Sequence, residues 1–275
     1  MRSLALEGRH SAWAEMVRAC IDFSTATFAV ARTEMRKLWR DPTEVFTRSV
    51  QPVLWLLVFG QIFTRVRAIP TGGLSYLAFM APGILAQSVL FTAIFYGIAI
   101  IWERDLGIAH KLLVSPAFRG ALVLGKAVTA GLRSLVQAVV VIAVAALLGV
   151  ELRFAPIAVL GVVVAVLLGG ALFATFSLIV ACLVKTRERF MGIGQVLTMP
   201  LFFASNAIYP LDIMPGWIRA VARANPLSYL VDALRALMVA GGESAFGLGV
   251  DFLVLVAVLV ALLAIASRLY PKIVL

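Results

Sequence analysis

Charged side chains are scarce in this sequence of 275 residues, where Asp, Glu, Lys and Arg together make up 14% of the chain. Ordinary soluble proteins carry about 25%. Hydrophobic residues make up 62%, which is more apolar surface than a soluble domain of this length can bury. The sequence therefore predicts an integral membrane protein. In a soluble protein the formal net charge of +10 would suggest a nucleic-acid partner, but no nucleic-acid partner is predicted here.

Cysteine and histidine are equally rare. The two cysteines, Cys20 and Cys182, form no CxxC pattern, so a disulfide framework is not expected. The two histidines, His10 and His110, lie far apart and lack the spacing of metal ligands. The sequence predicts no metal site.

Motifs for nucleotide binding and catalysis are also missing. The segment 120–127, GALVLGKA, resembles a phosphate-binding loop, but Ala127 stands where the motif needs Ser or Thr to hold magnesium. We find no nucleophile elbow, zinc motif or pair of catalytic carboxylates. The chain is therefore not expected to be an enzyme by itself or to bind a cofactor. If ATP drives its function, another polypeptide must bind the nucleotide.

Apolar stretches of membrane-spanning length recur along the chain. A transmembrane helix needs about 20 apolar residues. The predicted fold class is an all-α integral membrane protein with six transmembrane helices, in which a cytoplasmic segment 1–48 precedes a transmembrane domain 49–275. The six predicted spans are 49–64, 76–102, 127–150, 154–184, 190–208 and 250–267.

Basic residues fix the predicted orientation. With the N-terminus inside, 18 of the 24 Lys and Arg residues fall on the cytoplasmic side, as the positive-inside rule requires. Both termini are therefore predicted to be cytoplasmic. Arg133 leaves two readings open: it lies inside the bilayer, facing water or a partner, or the bilayer begins just after it.

Three segments outside the spans have amphipathic patterns. Segment 20–48 is basic and contains Trp39, which favours a helix lying on the lipid of the inner leaflet. In the cytoplasmic loop 103–118, Pro116 should end a partly apolar helix. The outer segment 209–240 has an apolar-faced helix that is too short to span and suits a re-entrant or interfacial position. On this helix, Asp232 and Arg235 are predicted to face away from the apolar stripe.

Polar residues inside the predicted spans are neutral, and we expect no clearly buried Asp or Glu there. Proton- or sodium-coupled carriers usually need such ionisable groups, so a secondary transporter is the weaker alternative. Hydrogen bonding between helices is the ordinary role of neutral polar residues in spans. Three of them are weak candidates for a substrate pathway: Gln87, Gln195 and Asn206.

Two stretches carry the resemblance to a known family. The first is ERDLGIAHKLLVSP at 103–116, followed by Leu-Gly-Lys at 124–126. The second stretch combines SNAIYPL at 205–211, MPGW at 214–217, NPLSY at 225–229 and DALR at 232–235. Together the two stretches resemble the signature of type-2 ABC exporter permeases, and in particular their drug-resistance branch. The chain departs from many relatives at Ile108 and His110, where they carry a polar residue and Glu.

The resemblance implies a permease subunit in the bacterial plasma membrane, paired with a second copy or a homologue. Two cytoplasmic ATPase subunits would bind ATP and magnesium. The loop 103–118 would be the coupling helix, and segment 209–240 would be an outer re-entrant gate. The implied coupling residues are Glu103, Arg104, Gly107, Leu112, Leu113, Ser115 and Pro116. The implied gate residues are Pro210, Pro215, Asn225, Pro226, Asp232 and Arg235.

The resemblance also implies the class of cargo. Export of a hydrophobic or amphipathic drug, antibiotic or lipid-like substrate is expected, and a polysaccharide or glycolipid is the alternative within the family. A channel, a membrane enzyme and a scaffold are further readings of the spans alone. The sequence leaves open whether the two permeases are identical.

Replacing both Leu112 and Leu113 by Asp should abolish coupling, because two charges would face the apolar groove of an ATPase. Insertion into the membrane should not change, since neither residue lies in a predicted span. Transport and membrane-inserted protein are measured together. Normal transport by a well-expressed double variant would rule out the coupling role.

Overall fold

A computed structural model of the protein describes residues 43–66, 69–107, 119–184 and 186–270, together with the single positions 25, 28, 32 and 36. The predicted interfacial helix therefore lies almost entirely outside the described residues. So do Leu112, Leu113, Ser115 and Pro116 of the predicted coupling helix.

The described part of the chain is helical and contains no β-sheet. Leu152 and Val239 form an isolated antiparallel bridge. Helices α1 and α2 are joined by a π-helical turn at Trp55–Gly60. The helices are α1 (Thr43–Leu54), α2 (Gln61–Val66), α3 (Tyr76–Asp105), α4 (Arg119–Leu147), α5 (Pro156–Leu183), α6 (Arg187–Phe203), α7 (Gly216–Ala224), α8 (Pro226–Met238) and α9 (Leu248–Leu269).

Among the described residues, five helical stretches are long and apolar enough to cross a membrane, by length and composition: Thr47–Val66, Tyr76–Asp105, Leu122–Leu147, Pro156–Leu183 and Leu248–Leu269. They match five of the six predicted spans.

The remaining predicted span, at 190–208, is not confirmed. Its helix α6 has 17 residues, or about 26 Å at 1.5 Å per residue. Residues 204–208 form turns, and the first turn of α6 carries Arg187, Glu188 and Arg189. The apolar pattern of the segment therefore belongs partly to a short helix and partly to the turns that follow it.

Helix α3 is the centre of the bundle. It packs against α1, α4, α5, α6 and α8. Most of its side chains are buried, as expected for a helix that is apolar on every face. The Glu103 end of the bundle is the end where α3 and α5 finish. The Asp232 end is the end where these two helices begin.

Helix α8 enters the bundle deeply, alongside α5. A Cβ atom on Gly169 would lie 2.5 Å from a methyl carbon of Leu230, and one on Gly161 would lie 2.9 Å from Leu237. Gly169 is about 20 Å along the axis of α5 from Pro156. Helix α8 therefore starts beside the middle of α5 and runs back toward the Asp232 end.

The close approach of α3 to the turn after α6 can be tested at Gly83. A Cβ atom there would lie 2.3 Å from the backbone oxygen of Ala207. We expect Gly83→Ala to destabilise the protein by about 1–3 kcal/mol through overpacking. Gly192, inside α6, has no atom within 4 Å of an added Cβ, so Gly192→Ala should be neutral or stabilising by about 0.5–1 kcal/mol.

Thermal unfolding of the two purified variants in detergent measures this difference. Equal melting temperatures for Gly83→Ala and Gly192→Ala would contradict the tight contact between α3 and Ala207.

Candidate functional site

A buried ion pair joins α3 to α4 at the Glu103 end. The ammonium of Lys126 donates a hydrogen bond to Oε2 of Glu103. The Lys126 side chain is 3% exposed and that of Glu103 is 13% exposed. Because a charge buried at this level is costly unless it is paired, the pair fixes the end of α3 against α4. Lys126 belongs to the segment that resembles a phosphate-binding loop, and its contact here is structural.

Arginine contacts tie α5 and α6 to the same end of α3. Arg104 Nη1 donates to the backbone oxygen of Val184 at 3.1 Å. Arg187 Nη2 donates to Oδ2 of Asp105 at 2.8 Å, and its guanidinium lies 4.0 Å from the centre of the Trp102 ring. Arg187 and Asp105 are both 36% exposed, so this ion pair orients the helices more than it stabilises them.

Gly107 ends α3 and starts the predicted coupling loop. Its φ of +72° is left-handed, a conformation that glycine adopts without strain, and its N–H donates to the oxygen of Arg104 at 2.9 Å. Three of the predicted coupling residues, Glu103, Arg104 and Gly107, thus lie where the loop joins the bundle. A displacement of the loop would act directly on α3, α4, α5 and α6.

A second polar network lies at the Asp232 end, around α8. The carboxylate of Asp232 accepts hydrogen bonds from Asn206 Nδ2 at 3.4 Å, Ser244 Oγ at 2.9 Å and the N–H of Phe246 at 3.0 Å. Arg235 Nη1 lies 3.8 Å from Oδ1 of Asp232. Arg235 Nη2 donates to the backbone oxygen of Asn206 at 2.7 Å. The network therefore connects α8 to the turn after α6 and to the loop before α9.

The sequence places Asp232 and Arg235 on the side of α8 opposite its apolar stripe, and the structure buries that side as well. Asp232 is 0% exposed and Arg235 is 7% exposed, because α8 is enclosed by α3, α5 and α9. The guanidinium of Arg235 also lies 4.0 Å from the centre of the Phe79 ring. Burial lowers the pKa of Arg235 to about 10, and the neighbouring Asp232 opposes the shift. Arg235 remains charged at neutral pH.

The expectation that the spans contain no buried Asp or Glu is wrong. Asp251 lies in the first turn of α9, is 0% exposed and contacts Ser244 Oγ at 2.9 Å. Glu103, near the end of α3, is largely buried as well. The apolar runs around both residues hid them from a reading based on hydropathy.

Asn225 caps α8, and an Asn-Pro pair in a sequence is typical of a helix start. Its Oδ1 accepts from the N–H of Leu227 at 3.0 Å. Its Nδ2 donates to the backbone oxygens of Leu201 at 2.6 Å and Ala204 at 3.1 Å. One side chain thereby satisfies the start of α8 and the end of α6. Pro226 follows at the first helical position.

An open cavity of about 650 Å³ lies beside this network. Pro210, which precedes a short 3-10 turn, lines it, whereas Pro215 precedes α7. The gate residues predicted from the sequence are therefore grouped around α7 and α8. The charged and aromatic lining residues are Phe79, Asp212, Arg219, Arg223, Tyr229, Asp232, Arg235, Glu243 and Phe246.

The three candidate pathway residues do not share one site. Gln87 is 4% exposed and lines a recess of about 330 Å³ between α1 and α3, together with Arg48. Gln195 lies on the exposed face of α6. Asn206 belongs to the Asp232 network. Sequence position alone could not show this, because each residue lies on a different helix or turn.

Arg133 lies within the helical stretch Leu122–Leu147. Its guanidinium is 5.2 Å from the centre of the Tyr96 ring, a cation–π contact. The side chain is therefore directed at α3.

The sequence did not single out several residues of these networks as site residues, among them Asp105, Lys126, Arg187, Ser244 and Asp251. A lone charge at the edge of an apolar run was the signal available for Lys126 and Asp251. Ser244 and Arg187 lie in polar stretches that carry no such signal.

Comparison with known proteins covers the contacts at the Glu103 end and all of α8. The model of the family described as ABC-2 type transporter matches residues 25–239. The transport permease ycf38 of Cyanophora paradoxa is 29% identical over 218 residues, or 78% of this chain and 74% of the relative. The daunorubicin resistance ABC transporter permease protein DrrB1 of Streptomyces coeruleorubidus is 26% identical, covering 76% of each. Nodulation protein J of Bradyrhizobium diazoefficiens is 30% identical, covering 68% of this chain and 71% of the relative.

The buried ion pair between α3 and α4 can be tested by removing one partner or both. Lys126→Met should destabilise the protein by about 3–5 kcal/mol, because it removes the ammonium that balances the largely buried carboxylate of Glu103. Adding Glu103→Gln should recover part of this loss. Arg189, which is exposed on α6, gives the control Arg189→Met, with an expected change within about 0.5 kcal/mol.

Denaturant unfolding of the wild type, Lys126→Met, Glu103→Gln, the double variant and Arg189→Met measures these differences. Additive losses in the double variant would show that the two side chains do not stabilise each other.

Proposed function

The chain belongs to the ABC-2 type transporter family and is the permease subunit of an ABC transporter, and we propose that it exports a hydrophobic or amphipathic substrate. The family match extends over the Glu103 end and over α8, and it is the observation that carries the proposal. A permease of this kind works with separate ATPase subunits and is not itself catalytic. The chain is accordingly a membrane protein.

We propose that loop 103–118 is the site at which an ATPase pushes on the permease. The support is mechanical: the loop begins at the ion pair of Glu103 with Lys126 and at the Arg104 contact with the end of α5. A movement of the loop would therefore be transmitted to at least three helices, α3, α4 and α5. ATP and magnesium would be held by the ATPase partner.

Segment 209–240 is proposed as the gate at the opposite side of the membrane. Helices α7 and α8 lie at the Asp232 end, and α3 runs from this end to the start of the coupling loop. With loop 103–118 in the cytoplasm, the 650 Å³ cavity opens toward the exterior. The basic residues support this orientation, with both termini inside.

The proposed assembly contains two permeases and two ATPase subunits in a bacterial plasma membrane. The basic amphipathic pattern of segment 20–48 supports contact with lipid of the inner leaflet. The transmembrane unit would be residues 49–275, and segment 1–48 would lie on its cytoplasmic side.

The drug-resistance relative supports a cargo of drug, antibiotic or lipid-like character. DrrB1 is named for resistance to daunorubicin. We propose a cargo of the same chemical class for this chain. A polysaccharide or glycolipid cargo is the competing outcome within the same family.

Transport can be measured with the permease and its ATPase reconstituted in vesicles that expose the ATPase outward. We expect ATP-dependent accumulation of an anthracycline or a short-chain lipid probe inside these vesicles, because export from the cell is uptake in this orientation. The Leu112→Asp, Leu113→Asp double variant serves as the uncoupled control, and Gly192→Ala as the active one. Uptake confined to a glycolipid probe would replace the cargo proposal, and ATP-driven loss of probe would overturn the direction.

A further inference from the structure

One hydroxyl group lies between two buried carboxyl groups at the Asp232 end. Ser244 Oγ is 2.9 Å from Oδ2 of Asp232 and 2.9 Å from Oδ2 of Asp251. The N–H of Gly247 also donates to the same oxygen at 2.7 Å. Ser244 lies in the loop between α8 and α9, so this contact joins the two helices.

The hydroxyl group of Ser244 has one hydrogen too few to bond fully to two ionised carboxylates. A serine hydroxyl has one hydrogen to donate, and an ionised carboxylate has none. One hydroxyl hydrogen can make a full hydrogen bond to only one of two ionised carboxylates. We propose that the site binds one additional proton, which is held on the carboxyl group of Asp251.

The neighbours of each carboxyl group decide which one carries the proton. Asp232 accepts from the N–H of Phe246 and from Asn206, and it faces the guanidinium of Arg235. These donors and this charge stabilise the ionised form. Among the described residues, Oδ1 of Asp251 has no hydrogen-bond partner, and the side chain is 0% exposed. A neutral acid suits such a site, because a buried carboxylate without donors is costly.

The charged groups around Asp232 and Asp251 agree with one additional proton shared by these two carboxyl groups. From α8, Asp232 and Arg235 form a pair of opposite charges. Glu243, from the loop before α9, lines the adjacent cavity. Arg153, which precedes α5, directs Nη1 to the backbone oxygen of Ala236 at 3.4 Å. The N-terminus of α9 favours an anion at Asp251, but the ionised Asp232, which shares its hydroxyl, opposes one.

The hydrogen bonds then run in one direction. Asp251 donates its proton to Ser244 Oγ, and Ser244 donates its own hydrogen to Asp232, whose charge Arg235 balances. This chain holds the start of α9 and the 240–247 loop against α8.

Infrared spectroscopy of the full-length protein in lipid tests the assignment directly. At neutral pH we expect a carbonyl band of a protonated carboxylic acid in the wild type, and we expect Asp251→Asn to remove it. Asp212→Asn, at an exposed aspartate beside the same cavity, should leave the band unchanged.

Thermal unfolding gives a second, independent readout. Asp251→Asn should melt close to the wild type, because its amide N–H can donate to Ser244 in place of the acid. Asp232→Asn should melt lower or fail to accumulate, because it leaves Arg235 buried without a counter-charge. The wild-type spectrum remains decisive if that variant does not fold.

Two results would overturn the proposal. One is a wild-type spectrum without a protonated-acid band, or with a band that persists in Asp251→Asn. The other is a loss of stability in Asp251→Asn as large as that in Asp232→Asn, since that would mean that Asp251 is charged in the folded protein.

Discussion

Burial of a charged pair inside a bundle of apolar helices is the constraint on which the Asp232 end depends. A charge removed from water is tolerated only when it is paired and hydrogen-bonded, and Asp232 and Arg235 satisfy this condition within α8 and with its neighbours. The partners come from the turn after α6 and from the loop before α9. Helix α8 can therefore lie deep in the bundle only while those two segments remain in place.

Helix α3 connects this network to the other end of the molecule. Phe79, near its start, lies under the guanidinium of Arg235, and Glu103, near its end, pairs with Lys126. The two residues are about 36 Å apart along a continuous helix. An ATPase acting on the loop after α3 would thus pull on the helix that also contacts the proposed gate. This continuity gives the family's division of labour a physical basis in this chain.

Two interpretations of the sequence depend on contacts between helices that periodicity does not show. Helix α8 has an apolar stripe with Asp232 and Arg235 on its other side, and α3, α5 and α9 bury that side as well. Segment 190–208 is apolar enough to suggest a span, yet α6 ends at Phe203. Asn225, twenty-two positions further along the chain, donates hydrogen bonds to the backbone oxygens of Leu201 and Ala204 and so satisfies the early end of α6.

The sequence by itself determined the membrane character, five of the spans, the cap at Asn225 and the family, because hydropathy, local capping and short motifs are properties of neighbouring residues. Only the tertiary structure decided which charges are buried and with whom they pair. Lys126 lies 23 residues from Glu103, and Ser244 brings together Asp232 and Asp251 from two helices. Such pairings depend on how helices pack, and no local pattern encodes the distance between side chains that are far apart in the chain.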